Sequence, residues 1–398
     1  MKNKLNMTMI LTILLLIGAI IMSSLLSDST ISDNKTDNSA IHETTNEEMR
    51  GMWVSYISLD MQGTNRSFES FKSKFADIIS TAESMKCNTL IVHIRPFCDA
   101  LYDSSIFPPS HVLSGTQGVY CGYDALEYMC KSTHDAGLKI HAWINPYRIA
   151  SGKTPSALSS DNVFSQSEEI CVELESGKYL SPAKKAARKL IKDGVAEIVS
   201  NYDVDGIQFD DYFYPADGTN FDYDDYLTYR KSVKNITEVM NFSDWRLSNV
   251  NLLIAEVYKT IKAIDNSVLF GISPQGNIEN CYSISADVKT WCKAIGYVDY
   301  ICPQMYYSIN HPVVKFEDSL KEWKNLERHG NLKVYIGLGV YKAGTDADSG
   351  TWLTESNILS RQLKLLRKYD YHGYMLYDYG AVKGEDAQEE LSVFKSTI

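Results

Sequence analysis

Short apolar runs alternate with amphipathic stretches along the chain from Arg50 to about Gly380. The runs are rich in β-branched and aromatic residues and are apolar along most of their length, which is typical of parallel strands covered on both faces. In the amphipathic stretches, apolar residues recur at three- and four-residue spacing, which indicates helices with one buried face. The runs predict eight strands: Gly51–Ser58, Asn88–Ile94, Leu138–Ile144, Asp205–Phe209, Val268–Ser273, Val298–Gln304, Leu332–Gly339 and Gly373–Tyr377.

The stretches between these strands predict helices that cover the sheet. Eight strands alternating with helices predict an α/β protein built as a (β/α)8 TIM barrel. An open doubly wound sheet fits less well, because the chain has no G-x-G-x-x-G motif and no P-loop. The predicted helices include Phe68–Met85, Ala125–Ala136, Pro182–Asn201, Val250–Ile264, Phe316–Arg328 and Ile358–Tyr369.

The N-terminal segment differs from the rest of the chain. Lys2 and Lys4 precede the uncharged stretch Leu5–Ser27, so residues 1–27 are predicted to be a cleaved signal peptide or an uncleaved membrane anchor. Residues 28–49 are small and polar and should form a flexible linker, which leaves residues 50–398 for the barrel. Positive charges before the apolar stretch place the barrel outside the membrane, either anchored there or secreted to the cell envelope.

Composition narrows the classes of partner. The formal net charge of -11 argues against a nucleic-acid binder, which needs clustered Lys and Arg for phosphate contacts. Abundant tyrosine at the ends of apolar runs favours a neutral or sugar-like substrate. The eight cysteines form no C-x-x-C pair and no zinc spacing, and Cys302 lies in an apolar strand, so we predict neither a cofactor, a metal site nor a disulfide framework.

The strand ends carry the candidate binding residues, because active sites of β/α barrels lie where strands end and the following loops begin. Polar and aromatic residues are concentrated at all eight predicted ends. Such a lining suits a carbohydrate, whose C–H groups pack on rings and whose hydroxyls bind amides and carboxylates. Core packing or turn formation is the alternative role for most of them. The candidates are His93, Arg95, Trp143, Asn145, Arg148, Tyr212, Gln275, Asn277, Gln304, Tyr306 and Tyr377.

Aspartates at two strand ends are the candidate catalytic residues. Glycosidic cleavage needs an acid for the leaving oxygen and a nucleophile or base, and two carboxyl groups normally supply them. Asp210 and Asp211 are adjacent after the fourth predicted strand, where repulsion should raise the pKa of one of them. Their alternative role is helix capping or pairing with arginine. A rival assignment pairs Asp210 with Asp378 after the last strand, and Asp99 is a weaker candidate that a loop cap explains better.

Seven long segments follow one another through the predicted barrel: RGMWVSY (Arg50–Tyr56), NTLIVHIRP (Asn88–Pro96), GLKIHAWINPYR (Gly137–Arg148), DGIQFDDYFYP (Asp205–Pro215), FGISPQGN (Phe270–Asn277), DYICPQMYYS (Asp299–Ser308) and IGLGVYK (Ile336–Lys342). Together they resemble the glycosyl hydrolase-like family 10. The resemblance implies an exported or lipid-anchored bacterial barrel, and members are implicated in cutting peptidoglycan glycan strands, notably strands denuded of peptides. This chain lacks the lipid-attachment Cys of some relatives.

A more distant similarity suggests a mechanism. The segment Asp205–Tyr212 looks like the D-G-x-D-x-D-x-E strand of chitinase-type glycosidases, but Tyr212 stands where those enzymes carry the acidic Glu. The Asp-Asp pair is similar instead to that of N-acetylglucosaminidases that use the substrate's acetamido group as nucleophile. By that analogy, Asp210 would orient the 2-acetamido N–H, while Asp211 would protonate the leaving oxygen and later activate water.

The basic residues near the mouth have two interpretations. Arg95 and Arg148 are expected either to bind a lactyl carboxylate or hydroxyls of the substrate, or to pair with Asp210 and Asp211. For His93, a buried and hydrogen-bonded strand histidine is the alternative to substrate contact.

Two functions remain from the sequence. The first is an exported glycosidase acting on an N-acetylhexosamine polymer of the envelope, with peptidoglycan glycan strands as the expected substrate and the membrane contacted through the N-terminal segment. The alternative is a barrel that binds glycan without cutting it and tethers a membrane-anchored complex to the cell wall. A polysaccharide deacetylase is disfavoured, since it needs a His/Asp metal triad that the chain does not show.

Overall fold

The computed structural model describes residues 48–63, 65–215 and 220–398. The predicted signal or anchor segment, and all but the last two residues of the predicted linker, lie outside the described residues. Within these described ranges, none of the helices combines the length and the apolarity needed to cross a membrane.

Nine strand segments form one parallel sheet at the centre of the protein. They are β1 (Met49–Val54), β2 (Thr89–Arg95), β3 (Lys139–Ile144), β4 (Gly206–Phe209), β5 (Leu269–Ile272), β6 (Tyr300–Ile301), β7 (Lys333–Val334), β8 (Ile336–Gly339) and β9 (Gly373–Tyr377). Their order across the sheet is β7-β6-β5-β4-β3-β2-β1-β9-β8.

The two outermost strands of this sheet are consecutive pieces of one segment of chain. β7 pairs with β6, β8 pairs with β9, and only Tyr335 separates β7 from β8. A further bridge joins Gln304, after β6, to Gly337 in β8. The sheet therefore curls into a nearly closed barrel, and the predicted strand Leu332–Gly339 spans both of its meeting edges. The predicted barrel is confirmed. Its nine segments correspond to the eight predicted strands, because β7 and β8 together form the predicted strand Leu332–Gly339.

Helices cover the outside of the barrel and largely match the predicted ones. The clearest difference is the helix predicted from Val250, which begins at Phe242, where Asn241 caps it by accepting a hydrogen bond from the backbone N–H of Asp244. The described helices are Tyr56–Leu59, Phe68–Ser84, His111–Ser114, Ala125–Asp135, Val163–Gln166, Lys185–Asn201, Tyr223–Ser232, Phe242–Ile264, Ile278–Ser283, Val288–Lys293, Phe316–Asn325, Ala347–Thr354, Ile358–Lys368, Tyr379–Lys383 and Gln388–Thr397, with 3-10 turns at Glu168–Ile170, Ile236–Glu238, Val340–Lys342 and Glu385–Ala387.

Two predicted strands were too long. The chain leaves β1 after Val54 and enters the helix Tyr56–Leu59, so the strand predicted to Ser58 ends four residues early. The strand predicted as Val298–Gln304 keeps ladder pairing only at Tyr300–Ile301.

A small antiparallel sheet follows β3 and was not predicted. Its strands are Arg148–Ser151, Cys171–Leu174 and Gly177–Leu180, and the last two form a hairpin around Glu175 and Ser176. The alternating pattern of Cys171–Leu180, with a glycine directly after the turn, is the signal that predicts such a hairpin.

The barrel interior is filled with large side chains that form a core of their own. Strand residues point alternately inward and outward, so this inner cluster is separate from the larger apolar layer between strands and helices. Its buried members are Met49, Trp53, Ile91, Trp143, Tyr300, Cys302, Tyr335 and Met375. The interior is thus packed with side chains at the level of this cluster.

Close packing inside the barrel makes Gly271 sensitive to substitution. A Cβ added at this β5 residue would overlap the ring of Tyr300. We expect Gly271→Ala to lower the free energy of unfolding by about 1–3 kcal/mol, measured by urea denaturation, because the core cannot absorb the extra carbon without strain. The control is Gly330→Ala, where an added Cβ meets nothing within 4 Å. Equal stabilities of the two variants would contradict this account of the interior.

Candidate active site

Asp210 follows β4 at the mouth of the barrel and is held by residues that follow or end β3. Its Oδ2 accepts hydrogen bonds from Trp143 Nε1 at 3.0 Å and from Asn145 Nδ2 at 3.1 Å. Among the described residues, the one hydrogen bond to its Oδ1 comes from the backbone N–H of Tyr212, at 3.5 Å. The residue is 3% exposed. One oxygen is therefore fixed by two donors, and the other is left with a single long contact.

Asp211 is held from the opposite side, by side chains that follow β5 and β6. Gln275 Nε2 donates to its Oδ2, and Gln304 Nε2 donates to its Oδ1 at 3.0 Å. Gln304 is oriented by a second hydrogen bond to the backbone oxygen of Ser273 at 2.7 Å. Because both carboxylate oxygens accept amide N–H groups, these contacts favour the ionised form of Asp211.

Burial sets the electrostatics of the pair. It raises the pKa of Asp210 to about 7; the Arg148 charge opposes this rise, and the neighbouring Asp211 adds to it. Burial also raises the pKa of Asp211, while its hydrogen bonds from Gln275 and Gln304 act in the opposite direction. The expected repulsion acts on Asp210, whose pKa the neighbouring Asp211 raises, but desolvation is the larger cause for both groups. Asp210 is the carboxyl poised to exchange a proton near neutral pH.

The amide contacts to Asp211 lead to a titration prediction. In Gln304→Leu, the pKa of Asp211 should rise further, because a hydrogen bond that stabilises the ionised form is lost. Carbon NMR of selectively labelled aspartate would follow the titration directly. The control is Gln62→Leu, at an exposed residue. A lower or unchanged pKa in the Gln304 variant would show that this contact does not stabilise the charge.

His93 lies inside the mouth, stacked on Trp143 with ring centroids 3.8 Å apart and an interplanar angle of 12°. Tyr56 meets its edge at 5.6 Å. Burial, and to a lesser extent the Arg148 charge, hold the pKa of His93 well below its usual value, so the ring is neutral at pH 7. Neither ring nitrogen has a partner among the described residues. The prediction that His93 is buried is confirmed, but the prediction that it is hydrogen-bonded is wrong for the described residues.

The two arginines proposed as substrate ligands lie in different places. Arg148 is half-buried at the mouth, where its Nε donates to the backbone oxygen of Pro96 at 3.1 Å. Arg95 is fully buried and packs on the ring of Phe107 at 4.5 Å, so the structure does not bring it into the mouth. In the part of the chain that the structure describes, neither arginine is hydrogen-bonded to Asp210 or Asp211, which removes the predicted pairing with those carboxylates.

Aromatic rings form one wall of the mouth. Tyr306 and Tyr377 stack with centroids 5.2 Å apart, and Trp53 meets both rings edge-on. Tyr341 packs against Tyr306 and is 46% exposed. Trp53 Nε1 also donates to Gln208 Oε1 at 2.6 Å. Trp53 was missed because the first strand was predicted to run to Ser58, which moved its expected end past this residue.

Three other candidates use their side chains to stabilise local structure. Asp378 begins the helix Tyr379–Lys383 and accepts a hydrogen bond from the backbone N–H of Ala381 at 3.2 Å. Asn277 caps the helix Ile278–Ser283 by accepting from two backbone N–H groups. Asp99 is fully buried and accepts hydrogen bonds from His111 Nδ1 and Gln117 Nε2, each at 3.1 Å. The rival pairing of Asp210 with Asp378 is weakened, because the capping role occupies the second carboxylate.

A cavity of about 550 Å³ opens beside Asp211. Its volume falls within the range of small-molecule sites. Tyr212, which is 56% exposed, contributes one side. The tip of the unpredicted hairpin contributes another through Glu175, Ser176 and Tyr179. The remaining lining residues are Tyr214, Pro215, Gln275 and Ile284.

A nearly closed parallel barrel with two buried carboxyl groups at its mouth places the protein in the class of TIM-barrel glycoside hydrolase-like proteins. The chain belongs to the glycosyl hydrolase-like 10 family, whose family model matches residues 48–353. This match confirms the resemblance indicated by the seven segments along the barrel.

Named relatives extend across most of the chain. It is 32% identical over 343 residues to the glycosyl hydrolase YngK of Bacillus subtilis (strain 168), covering 80% of this chain and 67% of that protein. It is 30% identical over 362 residues to the glycosyl hydrolase DigH of Escherichia coli (strain K12), covering 82% of this chain and 81% of that protein.

Solved structures share the fold. The glycoside hydrolase domain of PgaB (BpsB) from Bordetella bronchiseptica has a TM-score of 0.58 at 12% identity, covering 87% of this chain and 99% of that chain. An endo-1,4-β-mannanase from Rhizomucor miehei has a TM-score of 0.54 at 10% identity, covering 88% and 95%. At these identities the likeness shows the common barrel alone.

Proposed function

We propose that the protein is an exported glycoside hydrolase that cleaves an N-acetylhexosamine polymer of the cell envelope, with peptidoglycan glycan strands as its main substrate. The observation that carries the proposal is the buried Asp210, whose pKa of about 7 suits a general acid, beside an Asp211 held by two amides. The family, and the names of YngK and DigH as glycosyl hydrolases, support the reaction type. The apolar stretch before the barrel supports export.

The contacts favour exchanging the roles that the sequence suggested for the two aspartates, so that Asp210 is the acid and Asp211 orients the acetamido group. In the proposed mechanism, Asp210 carries the proton on Oδ1, the oxygen without a strong donor, and gives it to the leaving glycosidic oxygen. Asp211, whose ionised form the amides of Gln275 and Gln304 stabilise, accepts a hydrogen bond from the substrate's acetamido N–H, which makes the acetamido oxygen a better nucleophile at the anomeric carbon.

The second half of the reaction regenerates the enzyme. The acetamido oxygen has formed a bond to the anomeric carbon, and the bond to the leaving sugar has broken. Asp210, now a carboxylate, removes a proton from a water molecule that attacks the same carbon and opens the cyclic intermediate. The anomeric configuration is retained, and Asp210 is again protonated.

The neighbouring surfaces fit such a substrate. The cavity beside Asp211 has room for a sugar residue with its acetamido group, and the rings of Tyr306 and Tyr377 offer apolar faces to sugar C–H groups. His93 lies beneath this surface, and its two buried ring nitrogens have no hydrogen-bond partner among the described residues.

The test is an assay of purified protein on glycan strands stripped of peptides and on chitin oligomers, with new reducing ends counted and the anomeric form of the first product read by NMR. Retained configuration with release of reducing ends is expected. No release under conditions in which a known muramidase works would rule out the proposal. Binding of strands without cleavage, unchanged by Asp211→Asn, would support the non-catalytic tethering barrel instead.

A further inference from the structure

Another cavity lies at the end of the barrel opposite the mouth. Its volume is about 460 Å³, which falls within the range of small-molecule sites. It is lined where strands begin: Met49 begins β1, Thr89 begins β2, Lys139 begins β3, and Asp205 directly precedes β4. The proposed mechanism takes place at the other ends of these strands, so it gives this cavity no role.

A neighbouring cavity of about 360 Å³ shares Tyr335 with the first, and we call the two the lower cavities. Tyr335 separates β7 from β8, is 7% exposed, and packs against the ring of Tyr300 with centroids 5.3 Å apart. The smaller cavity carries groups of both charges, among them Arg367 and Glu48, which form an ion pair at 2.9 Å. Two adjacent cavities that share one ring are the arrangement of neighbouring subsites for a chain-like ligand.

The carboxylates of the larger cavity stabilise local structure and still have acceptor capacity. Asp205 Oδ2 accepts hydrogen bonds from His134 Nε2 at 2.9 Å and from the backbone N–H of Ile140 at 2.8 Å. Asp265 Oδ1 accepts from the backbone N–H of Ser267 at 2.8 Å and from its hydroxyl at 2.6 Å. In each case both donors reach the same oxygen, so the other oxygen can accept from a ligand.

Two other groups of the larger cavity have no structural role of this kind. Lys139 is exposed, and among the described residues its ammonium group forms no hydrogen bond and no ion pair. The hydroxyl of Tyr335 likewise has no hydrogen-bond partner in the described part of the chain. His141 also lines the cavity, but burial lowers its pKa to about 4, so the ring adds no charge at pH 7. Local structure therefore leaves a cation and a phenol unexplained.

These groups indicate the class of ligand. The carboxylates of Asp203, Asp205 and Asp265 outnumber the single ammonium of Lys139 around the larger cavity, which disfavours an anion. Lys139 opposes a bound cation for the same reason. A neutral ligand with many hydroxyls avoids both conflicts, because a hydroxyl can accept a hydrogen bond from an ammonium group and donate one to a carboxylate.

Resting on the proposed function for the identity of the polymer, we propose that the lower cavities bind adjacent sugars of an N-acetylhexosamine strand. Lys139 and the Tyr335 hydroxyl donate hydrogen bonds to the sugars, and the carboxylates of the larger cavity accept from sugar hydroxyls. This second site takes no part in cleavage. It holds the protein on the polymer and so raises the effective concentration of strands at the mouth.

Methyl NMR with labelled methionine separates the two ends of the barrel. Met49 lines the larger lower cavity, whereas Met305 follows Gln304 at the mouth. The probe is the trimer of N-acetylglucosamine, added to Asp210→Asn protein so that it stays intact. We expect the Met49 resonance, assigned by its loss in Met49→Leu, to shift with trimer concentration until it saturates.

Removal of the two unpartnered groups is the decisive change. In Lys139→Leu combined with Tyr335→Phe, the Kd read from Met49 should rise about 10- to 100-fold, because one charge-assisted and one neutral hydrogen bond are lost. Lys364→Leu, at an exposed lysine on the helix Ile358–Lys368, is the matched control and should keep the original Kd. Should the double variant fail to fold by its melting temperature, Lys139→Leu alone provides the test.

Kinetics with Asp210 intact tests the holding role. On insoluble chitin, the double variant should have a KM about 10-fold above that of the wild type and an unchanged kcat. On a soluble oligomer both constants should match the wild type. Damage to the fold would instead lower kcat on both substrates, and equal KM values on chitin would contradict the holding role.

The NMR titration decides between the possible occupants. A Met49 resonance that ignores the trimer, or a Kd unchanged in the double variant, overturns the proposal. A shift of Met49 with putrescine and none with the trimer would identify a cation site and would overturn it as well. If the wild type cleaves no glycan while the trimer still shifts Met49 and the double variant weakens this binding, the proposed function fails and the second glycan site stands.

Discussion

Asp210→Asn is expected to lower kcat on glycan strands by about two to four orders of magnitude, the usual contribution of a positioned general acid. The Asn side chain can keep the hydrogen bonds from Trp143 and Asn145 through its oxygen, but it has no proton to give to the leaving group. Initial rates on a defined oligomer, measured from pH 4 to pH 9, would give kcat for both proteins. The wild-type rate should fall as pH rises through about 7, where Asp210 ionises.

The matched control for this prediction is at the start of the same strand. Asp205 accepts hydrogen bonds from His134 Nε2 at 2.9 Å and from the backbone N–H of Ile140 at 2.8 Å. Asp205→Asn should therefore affect stability while leaving kcat within about twofold, since it lies at the end of the barrel opposite the mouth. Wild-type rates in Asp210→Asn, or an equal loss in Asp205→Asn, would remove Asp210 from the mechanism.

Asp210→Asn should also stabilise the folded protein above neutral pH. The pKa of this carboxyl is about 7 when folded and 3.8 as an ordinary aspartate, so ionisation favours the unfolded chain. The stability that the neutral carboxyl contributes is fully present below about pH 4, decreases as pH rises, and is lost above about pH 7. An amide cannot ionise, and the variant should gain on the order of 2–4 kcal/mol over the wild type at pH 8.

Urea denaturation of both proteins at pH 4 and at pH 8 would measure this gain as a difference that grows with pH. At pH 4 the two free energies of unfolding should be nearly equal. Asp205→Asn should not raise the free energy of unfolding at pH 8, because the amide can keep only part of the hydrogen bonding of the Asp205 carboxylate. A variant at Asp210 that is less stable than the wild type at pH 8 would mean that the ionised carboxylate is well accommodated. The expected pattern, lower activity with higher stability, is the known trade-off at active sites.

The position of the aspartate pair could be predicted because two regular features combine. Periodicity located the strands, and the barrel rule placed Asp210 and Asp211 where β4 ends. The glutamines that hold Asp211 were also among the predicted ligands, since Gln275 and Gln304 follow β5 and β6 at the same mouth. What the sequence could not show is that these amides bind the carboxylate itself.

Arg95 shows why side-chain direction was harder to predict. Simple alternation puts His93 and Arg95 on the same face of β2, and both were expected at the mouth. The pairing of β2 with β3 shifts register between these two residues, and such an irregularity turns the following side chain. Arg95 consequently packs outside the barrel against Phe107. Sequence periodicity carries no information about an irregularity that depends on the neighbouring strand.

Because of the hairpin formed by Cys171–Leu174 and Gly177–Leu180, the shape of the cavity and the position of the two aspartates depend on different parts of the chain. The hairpin is inserted between β3 and the helix Lys185–Asn201, and its turn supplies one side of the cavity beside Asp211 while both aspartates belong to the barrel. Changes in the length or sequence of this hairpin can therefore alter what fits the cavity without moving the two aspartates. Among related proteins, we therefore expect differences in ligand preference to arise from changes in this hairpin while the barrel stays the same.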